Sequence, residues 1–250
     1  MSGHSKWSTI KRKKGAEDAK RGKIFTRLAR DLMLAARHGG GDPDSNPTLR
    51  TAIDKARAAN MPKDNIERAI KKGTGELEGG ELDEIVYEAY GPHGIPILIQ
   101  CMTDNRNRTL ADIRRVFNRQ GGSLAEAGAV SWMFETKGYI TLEGDDLDPD
   151  EVFLMAVDAG ADDVEISEGL VEIYTSPDML HVVSNALVES GLPVDEAELA
   201  PIPKNEIELG QKETAQVMGI IDALDELDDV QQVYSGLHIS AAMMAELEQA

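Results

Sequence analysis

A chain of 250 residues that is 41% hydrophobic can fill two or three compact cores, and with 4% aromatics those cores must be mostly aliphatic. A single cysteine, Cys101, excludes an internal disulfide framework and a multi-cysteine zinc site, and no apolar run reaches the roughly 18–20 residues that span a bilayer. The net charge of -19 argues against a polyanionic partner, but it conceals an asymmetry. Residues 1–73 hold 18 Lys+Arg against 8 Asp+Glu, a net of +10, and the remainder carries -29. An acidic body with a basic arm directed at nucleic acid is the expectation. Surface charges act over roughly 8–10 Å at physiological salt, so a local patch can work against the global sign.

Residues 1–15 (MSGHSKWSTIKRKKG) are polar and basic without periodicity and read as a flexible arm. They include basic residues but no apolar segment behind them, unlike a secretory signal, and a cytoplasmic protein is expected. From Ala16 to His38 the pattern is helical and stops at Gly39-Gly40-Gly41. At about 100° per residue, Ile24, Phe25, Leu28, Leu32, Ala35 and Ala36 share one side. Lys20, Lys23, Arg27, Arg30 and Arg37 share the other. Asn46-Pro47 opens a second helix with apolar Leu49, Ile53 and Ala56, proline being suited to a first turn. Met61-Pro62 opens a third, over 62–72, ended by Gly73, with an Ile66/Ile70 apolar pair and a Glu67/Lys71 charge pair.

Beyond a Gly/Glu-rich linker at 74–83 the period changes to that of strands. Ile85–Tyr90 and Ile95–Thr103 flank a Gly-Pro-His-Gly turn, a helix covers 108–120, and a strand is expected near Ala129–Phe134. Tyr139–Leu142, Asp150–Ala159, Val164–Ser167, Leu170–Tyr174, Pro177–Ser190 and Val194–Leu199 then follow the order βαββαβ of the ferredoxin-like split motif. A helix from about Lys212 to Leu227 and a strand over Val230–Ser235 have no partners in their own stretch. They are expected to complete the sheet begun at 84–135. The fold class is therefore α+β in three domains: a three-helix domain (16–76) behind the arm (1–15), an α/β domain (80–136 plus 205–240), and a ferredoxin-like domain (137–204) inserted into it.

Catalytic and cofactor signatures are missing from the sequence. It contains no phosphate loop, no Gly-x-Gly-x-x-Gly and no nucleophile elbow. The histidines His4, His38, His93, His181 and His238 are scattered without metal-ligand spacing. Carboxylate runs such as Asp145-Asp146 and Asp162-Asp163 read as solvated, and Cys101 reads as inert packing. No enzyme activity, metal or cofactor is expected. The basic features carry more. Lys6, Trp7 and the run Lys11-Arg12-Lys13-Lys14 lead into the cationic helix side, and Trp7 can stack on a base or pin the arm to the body. A second cluster, Arg106, Arg108, Arg114, Arg115 and Arg119, lies in the acidic part, with Arg108, Arg115 and Arg119 opposite Ile113 and Phe117. Guanidinium groups suit bidentate phosphate contact, and pairing with neighbouring acids is the competing reading.

Gly3-His4-Ser5-Lys6-Trp7, Lys23-Ile24-Phe25 and Met61-Pro62-Lys63-Asp64-Asn65-Ile66-Glu67-Arg68-Ala69-Ile70 resemble the YebC/PmpR family. So do Tyr87-Glu88-Ala89-Tyr90-Gly91-Pro92, Thr103-Asp104-Asn105-Arg106-Asn107-Arg108-Thr109 and Phe134-Glu135-Thr136-Lys137-Gly138. That family includes the mitochondrial translational activator of cytochrome oxidase subunit I. The resemblance implies one helical and two α/β domains in the bacterial cytoplasm, and a DNA-binding transcriptional regulator by the family's customary label. It also implies association with ribosomes and translation, including relief of stalling at proline-rich stretches. It offers no catalytic residues. Nucleic acid, DNA or ribosomal RNA, is thus the expected partner, with the ribosome as a further one and no membrane. A monomer is slightly favoured. The residues alone lean toward RNA, since no helix-turn-helix with base-reading side chains or zipper is evident. A third reading is an acidic protein-interaction scaffold.

Overall fold

The computed structural model describes residues 17–77, 82–144, 147–167, 169–240 and 243, with side chains described from Ile24 onward. Three helices come first: α1 (Glu17–Gly39), α2 (Pro47–Ala58) and α3 (Lys63–Gly73). Their apolar stripes meet in one core, in which Leu32, Leu49 and Ala56 are fully buried beside Ile53, Met61 and Ile66. Each large aliphatic side chain removed from water in this way contributes roughly 1.5–3 kcal/mol. Asn46 is 4% exposed and joins two of the helices. Its Oδ1 accepts from the Leu49 amide at 3.0 Å, capping α2, and its Nδ2 donates to the Ala35 and Gly40 carbonyls at 2.8 Å each. Gly73 lies inside α3 rather than after it, and a Cβ there would stand 2.3 Å from the Met33 carbonyl oxygen. It permits the close approach of α3 to α1.

The first sheet has the order β3-β1-β2-β9 and is formed by β1 (Asp83–Tyr90), β2 (Pro96–Thr103), β3 (Ser123–Leu124) and β9 (Val230–Ser235). Helices α4 (Arg106–Gln120) and α7 (Gln211–Asp225) cover it, burying Ile97, Ile99, Ile113, Phe117, Ile220, Ile221 and Leu224 between helices and strands. Strand β9 pairs antiparallel with β2, so the C-terminal strand completes a sheet begun more than a hundred residues earlier, as its lack of local partners requires. Between the two halves lies the second sheet, order β5-β6-β4-β7. It consists of β4 (Phe134–Glu143), β5 (Asp163–Ser167), β6 (Leu170–Thr175) and β7 (Val194–Pro203), with α5 (Pro149–Ala159) and α6 (Leu180–Glu189) on one face. All neighbours are antiparallel, which is the ferredoxin-like arrangement. A short parallel pair, β8 (Ile207–Glu208) with β10 (Leu237–His238), closes the connection.

The strand expected over Ala129–Phe134 does not form. A 3-10 turn occupies Ser131–Met133, β4 starts at Phe134, and the edge position beside β1 is taken by β3. The cause is Glu88, whose buried carboxylate accepts the amides of Gly128 (2.7 Å), Val130 (2.5 Å) and Ser131 (2.9 Å) and so draws the chain into a loop. Burial pushes this carboxyl up, and the three backbone donors outweigh it, leaving the group below the usual range.

Candidate nucleic-acid interface

The expected arm residues Lys6, Trp7, Lys11, Arg12, Lys13 and Lys14 lie outside the described residues. Lys20 and Lys23 fall on α1, and their side chains lie outside the described part. The remaining α1 cations are described, and they do not form a free row. Arg27 pairs with Asp225 at the end of α7 (3.6 Å), and Arg37 donates to the Leu82 carbonyl at 2.8 Å. Arg30 has a side chain only 12% exposed; it meets Asp229 at 2.8 Å and also donates to the Asp228 carbonyl.

Asp229 is the centre of a clasp. From the other side Arg108 reaches it at 2.8 Å, while Thr109 and Thr103 donate hydroxyl hydrogen bonds at 2.7 and 3.1 Å. Burial, the largest influence, pushes the Asp229 carboxyl up. The bonds from Thr109 and Arg108 and the charges of Arg108 and Arg30 more than reverse that, so it stays ionised below the usual range. The clasp joins the helical domain to α4 and to the start of β9. This corrects the expectation of one exposed cationic side on α1: acids about two hundred residues away in sequence meet Arg27 and Arg30. In α4, Arg106 pairs with Asp83 (2.8 Å) and Arg115 with Asp112 (2.7 Å). Arg114 and Arg119 are exposed and form no ion pair among the described residues. Of that cluster, the competing reading, pairing with acids, therefore describes Arg106, Arg108 and Arg115.

Free cations occur instead on α3. Glu67 pairs with Lys63 (3.6 Å) and not with Lys71 as the spacing suggested. Arg68, Lys71 and Lys72 are exposed and form no ion pair among the described residues. Helix spacing offers Glu67 as a partner for Lys71, and Arg68 and Lys72 were not singled out from the sequence. The available signal was local: the stretch Arg68–Gly73 contains three cations and no acid. Between α3 and α1 runs a groove with a cavity of about 310 Å³, lined by Phe25, Ala29, Met33, Met61 and Ala69, with Thr26, Arg30, Asn65, Arg68 and Lys72 also lining it. No acid lines it. The neighbouring cavity around the clasp, in contrast, is lined by Asp112, Glu226, Asp228 and Asp229. In a chain of net charge -19, a groove whose described lining holds two arginines and a lysine and no acid is favourable to an anionic ligand.

Other chemistry-bearing groups are accounted for by packing. Cys101 is 1% exposed, and its thiol is pushed up to about 12, first by burial and then by the Asp229 charge. Among the described residues no cluster of His, Cys, Asp and Glu could hold a metal ion, and no helix is long and apolar enough to cross a membrane.

Comparison with known proteins decides the family. Residues 5–76 match the model of the TACO1/YebC protein N-terminal domain, and residues 82–237 match that of the TACO1/YebC second and third domain. The chain belongs to the TACO1/YebC family. A "probable transcriptional regulatory protein" of Geobacter sulfurreducens is 52% identical over 247 residues, spanning 99% of this chain and 100% of the relative. One of the same description from Dehalococcoides mccartyi is 54% identical and covers 94% of each chain. The crystal structure of a conserved hypothetical protein from Aquifex aeolicus superimposes with a TM-score of 0.83 at 43% identity, over 89% of this chain and 92% of that one. The arrangement of one helical domain and two sheet-based domains is therefore that of a solved TACO1/YebC-like structure.

Proposed function

We propose that this chain is a nucleic-acid-binding regulator of gene expression whose contact surface lies on the helical domain. The observation that carries the reading is the contrast in charge: among the described residues Arg68, Lys71 and Lys72 have no ion partner and the groove beside them is lined by no acid, on a protein that is otherwise strongly acidic. Each cation that meets a phosphate releases condensed counterions, which favours binding without reading sequence. The arm cations Lys6, Lys11, Arg12, Lys13 and Lys14, with Trp7 and with Lys20 and Lys23, extend the same surface in this proposal, and Arg119 is a second, distant contact. Arg27, Arg30, Arg37 and Arg108 are instead engaged where the helical domain meets the first sheet's domain, and Arg106 pairs with Asp83 within that sheet's domain.

The names of the bacterial relatives, "probable transcriptional regulatory protein", support a regulator and point toward DNA. A second reading, an RNA-directed factor acting at the ribosome, is favoured by the groove itself, whose aromatic lining suits an unstacked base better than a duplex backbone. The deciding experiment is crosslinking in cells followed by sequencing of both bound DNA and bound RNA. Enrichment of promoter duplexes selects the first reading and enrichment of ribosomal RNA the second. Recovery of neither overturns the proposal.

A further inference from the structure

We infer that the groove between α1 and α3 is a pocket for one unstacked nucleobase of a single strand, held with its flanking phosphates. This inference rests on the nucleic-acid reading above and makes it specific. The groove has the parts such a ligand needs, each from a known element. Phe25 on α1 is half-buried and offers a ring against which a base can stack, and Ala29, Met33 and Met61 supply the apolar remainder. Asn65, exposed on the first turn of α3, carries an amide that can donate to and accept from a base edge. Arg68 and Lys72, three and seven residues further along α3, stand about one turn apart in the lining, spaced to meet phosphates on either side of a bound base. The volume of about 310 Å³ is enough to take one ring system.

Duplex nucleic acid must expel a base before it can use this pocket, and that unstacking is unfavourable; a single strand, loop or bulge presents bases already free. The ligand chemistry is therefore a purine or pyrimidine with a phosphate on each side. RNA and single-stranded DNA both supply it, and the test separates them.

The test uses the full chain and fluorescence anisotropy with three probes of one sequence: a 12-nucleotide single-stranded RNA, the same strand as DNA, and its DNA duplex, each over a range of salt. Three variants accompany the wild type: Phe25→Leu, which keeps the core apolar, Asn65→Ala on the exposed side, and Arg68→Gln/Lys72→Gln together. The expected result is a preference for single strands over duplex of about 10-fold or more. Phe25→Leu and Asn65→Ala should each weaken single-strand binding by about 5-fold or more while leaving the salt slope unchanged. The double Gln variant should reduce that slope by about 1.4, because each lost phosphate contact on a single strand accounts for about 0.7. A 2′-hydroxyl contact shows as RNA binding above single-stranded DNA. Equal binding of duplex and single strand, or unchanged single-strand affinity in both Phe25→Leu and Asn65→Ala, overturns the pocket while leaving the nucleic-acid reading intact. Failure of the wild type to bind any probe overturns both.

Discussion

The cations of α1 and those of α3 look alike in the sequence and have opposite fates in the structure. On α1, Arg27 and Arg30 turn toward Asp225 and Asp229, and Arg30 becomes largely buried. On α3, Arg68, Lys71 and Lys72 stay in solvent without ion partners among the described residues. A periodic cationic side shows that charges point one way; whether they are free depends on what the rest of the chain brings to them. The sharpest way to break this contrast is Asp229→Ala, which strands Arg30 and Arg108 around an empty position. Removing one partner of a buried pair costs about 3–5 kcal/mol, and the half-exposed Arg108 places this case near the lower end. Urea denaturation should therefore register a loss of about 3 kcal/mol. A loss below about 1 kcal/mol would put the clasp in the class of surface pairs and remove the distinction between the two helices.

A second contrast separates Asp229 from Glu172, both buried carboxylates. Asp229 is surrounded by donors and cations. Glu172 is 1% exposed, receives the Tyr139 hydroxyl at 2.5 Å, and finds no partner for its Oε2 among the described residues. Burial above all pushes the Glu172 carboxyl up to about 7, against the bond from Tyr139. Unfolded, the group ionises near 4.5; folded, it keeps its proton to about 7. Between those values the native state binds more protons, so this residue removes stability as pH rises through the window. Glu172→Gln keeps the acceptor for Tyr139 and cannot ionise. Relative to wild type it should be more stable by up to about 3 kcal/mol at pH 8, with the advantage vanishing toward pH 4. Parallel stability curves for the two proteins across that range would show that Glu172 does not titrate there.

Much of the fold was legible because its signals are local. Asn46-Pro47 and Met61-Pro62 mark helix starts at α2 and α3, and the order βαββαβ marks the second sheet. Even the joining of β9 to the sheet begun by β1 could be reasoned out, since a strand and helix without neighbours must join an earlier sheet; that its neighbour is β2 comes from the structure. The loop before β4 was not legible. Its conformation is set by Glu88, some forty residues back, and nothing in the stretch 125–133 announces that its amides will meet a carboxylate. The excess of cations in the helical domain was legible, but which of them are engaged in ion pairs was not. Ion pairing of Arg30 and Arg108 is a tertiary fact, whereas the freedom of Lys71 follows from Glu67 choosing Lys63, a competition that helix spacing leaves undecided.

Smaller effects sharpen the comparison further. Arg68→Gln/Lys71→Gln/Lys72→Gln should leave thermal stability close to wild type and weaken binding to a polyanionic probe about 10-fold at 0.15 M salt. Arg108→Gln should do the reverse, lowering the unfolding midpoint with affinity nearly intact. Equal losses of affinity in the two proteins would merge the surfaces that the structure separates. The least effect is expected at Arg106, whose pair with Asp83 is 2.8 Å long but has both side chains well exposed, 64% and 44%. The hydrogen bond, first, and the opposite charge hold the Asp83 carboxyl below its usual range, yet in water the gain is offset by side-chain ordering and salt screening. Arg106→Gln should thus unfold at the wild-type midpoint within error at 0.15 M salt. A clear destabilisation that persists at high salt would mean that Arg106 acts through packing on Tyr87, whose hydroxyl lies 3.4 Å from the Arg106 carbonyl, rather than through charge.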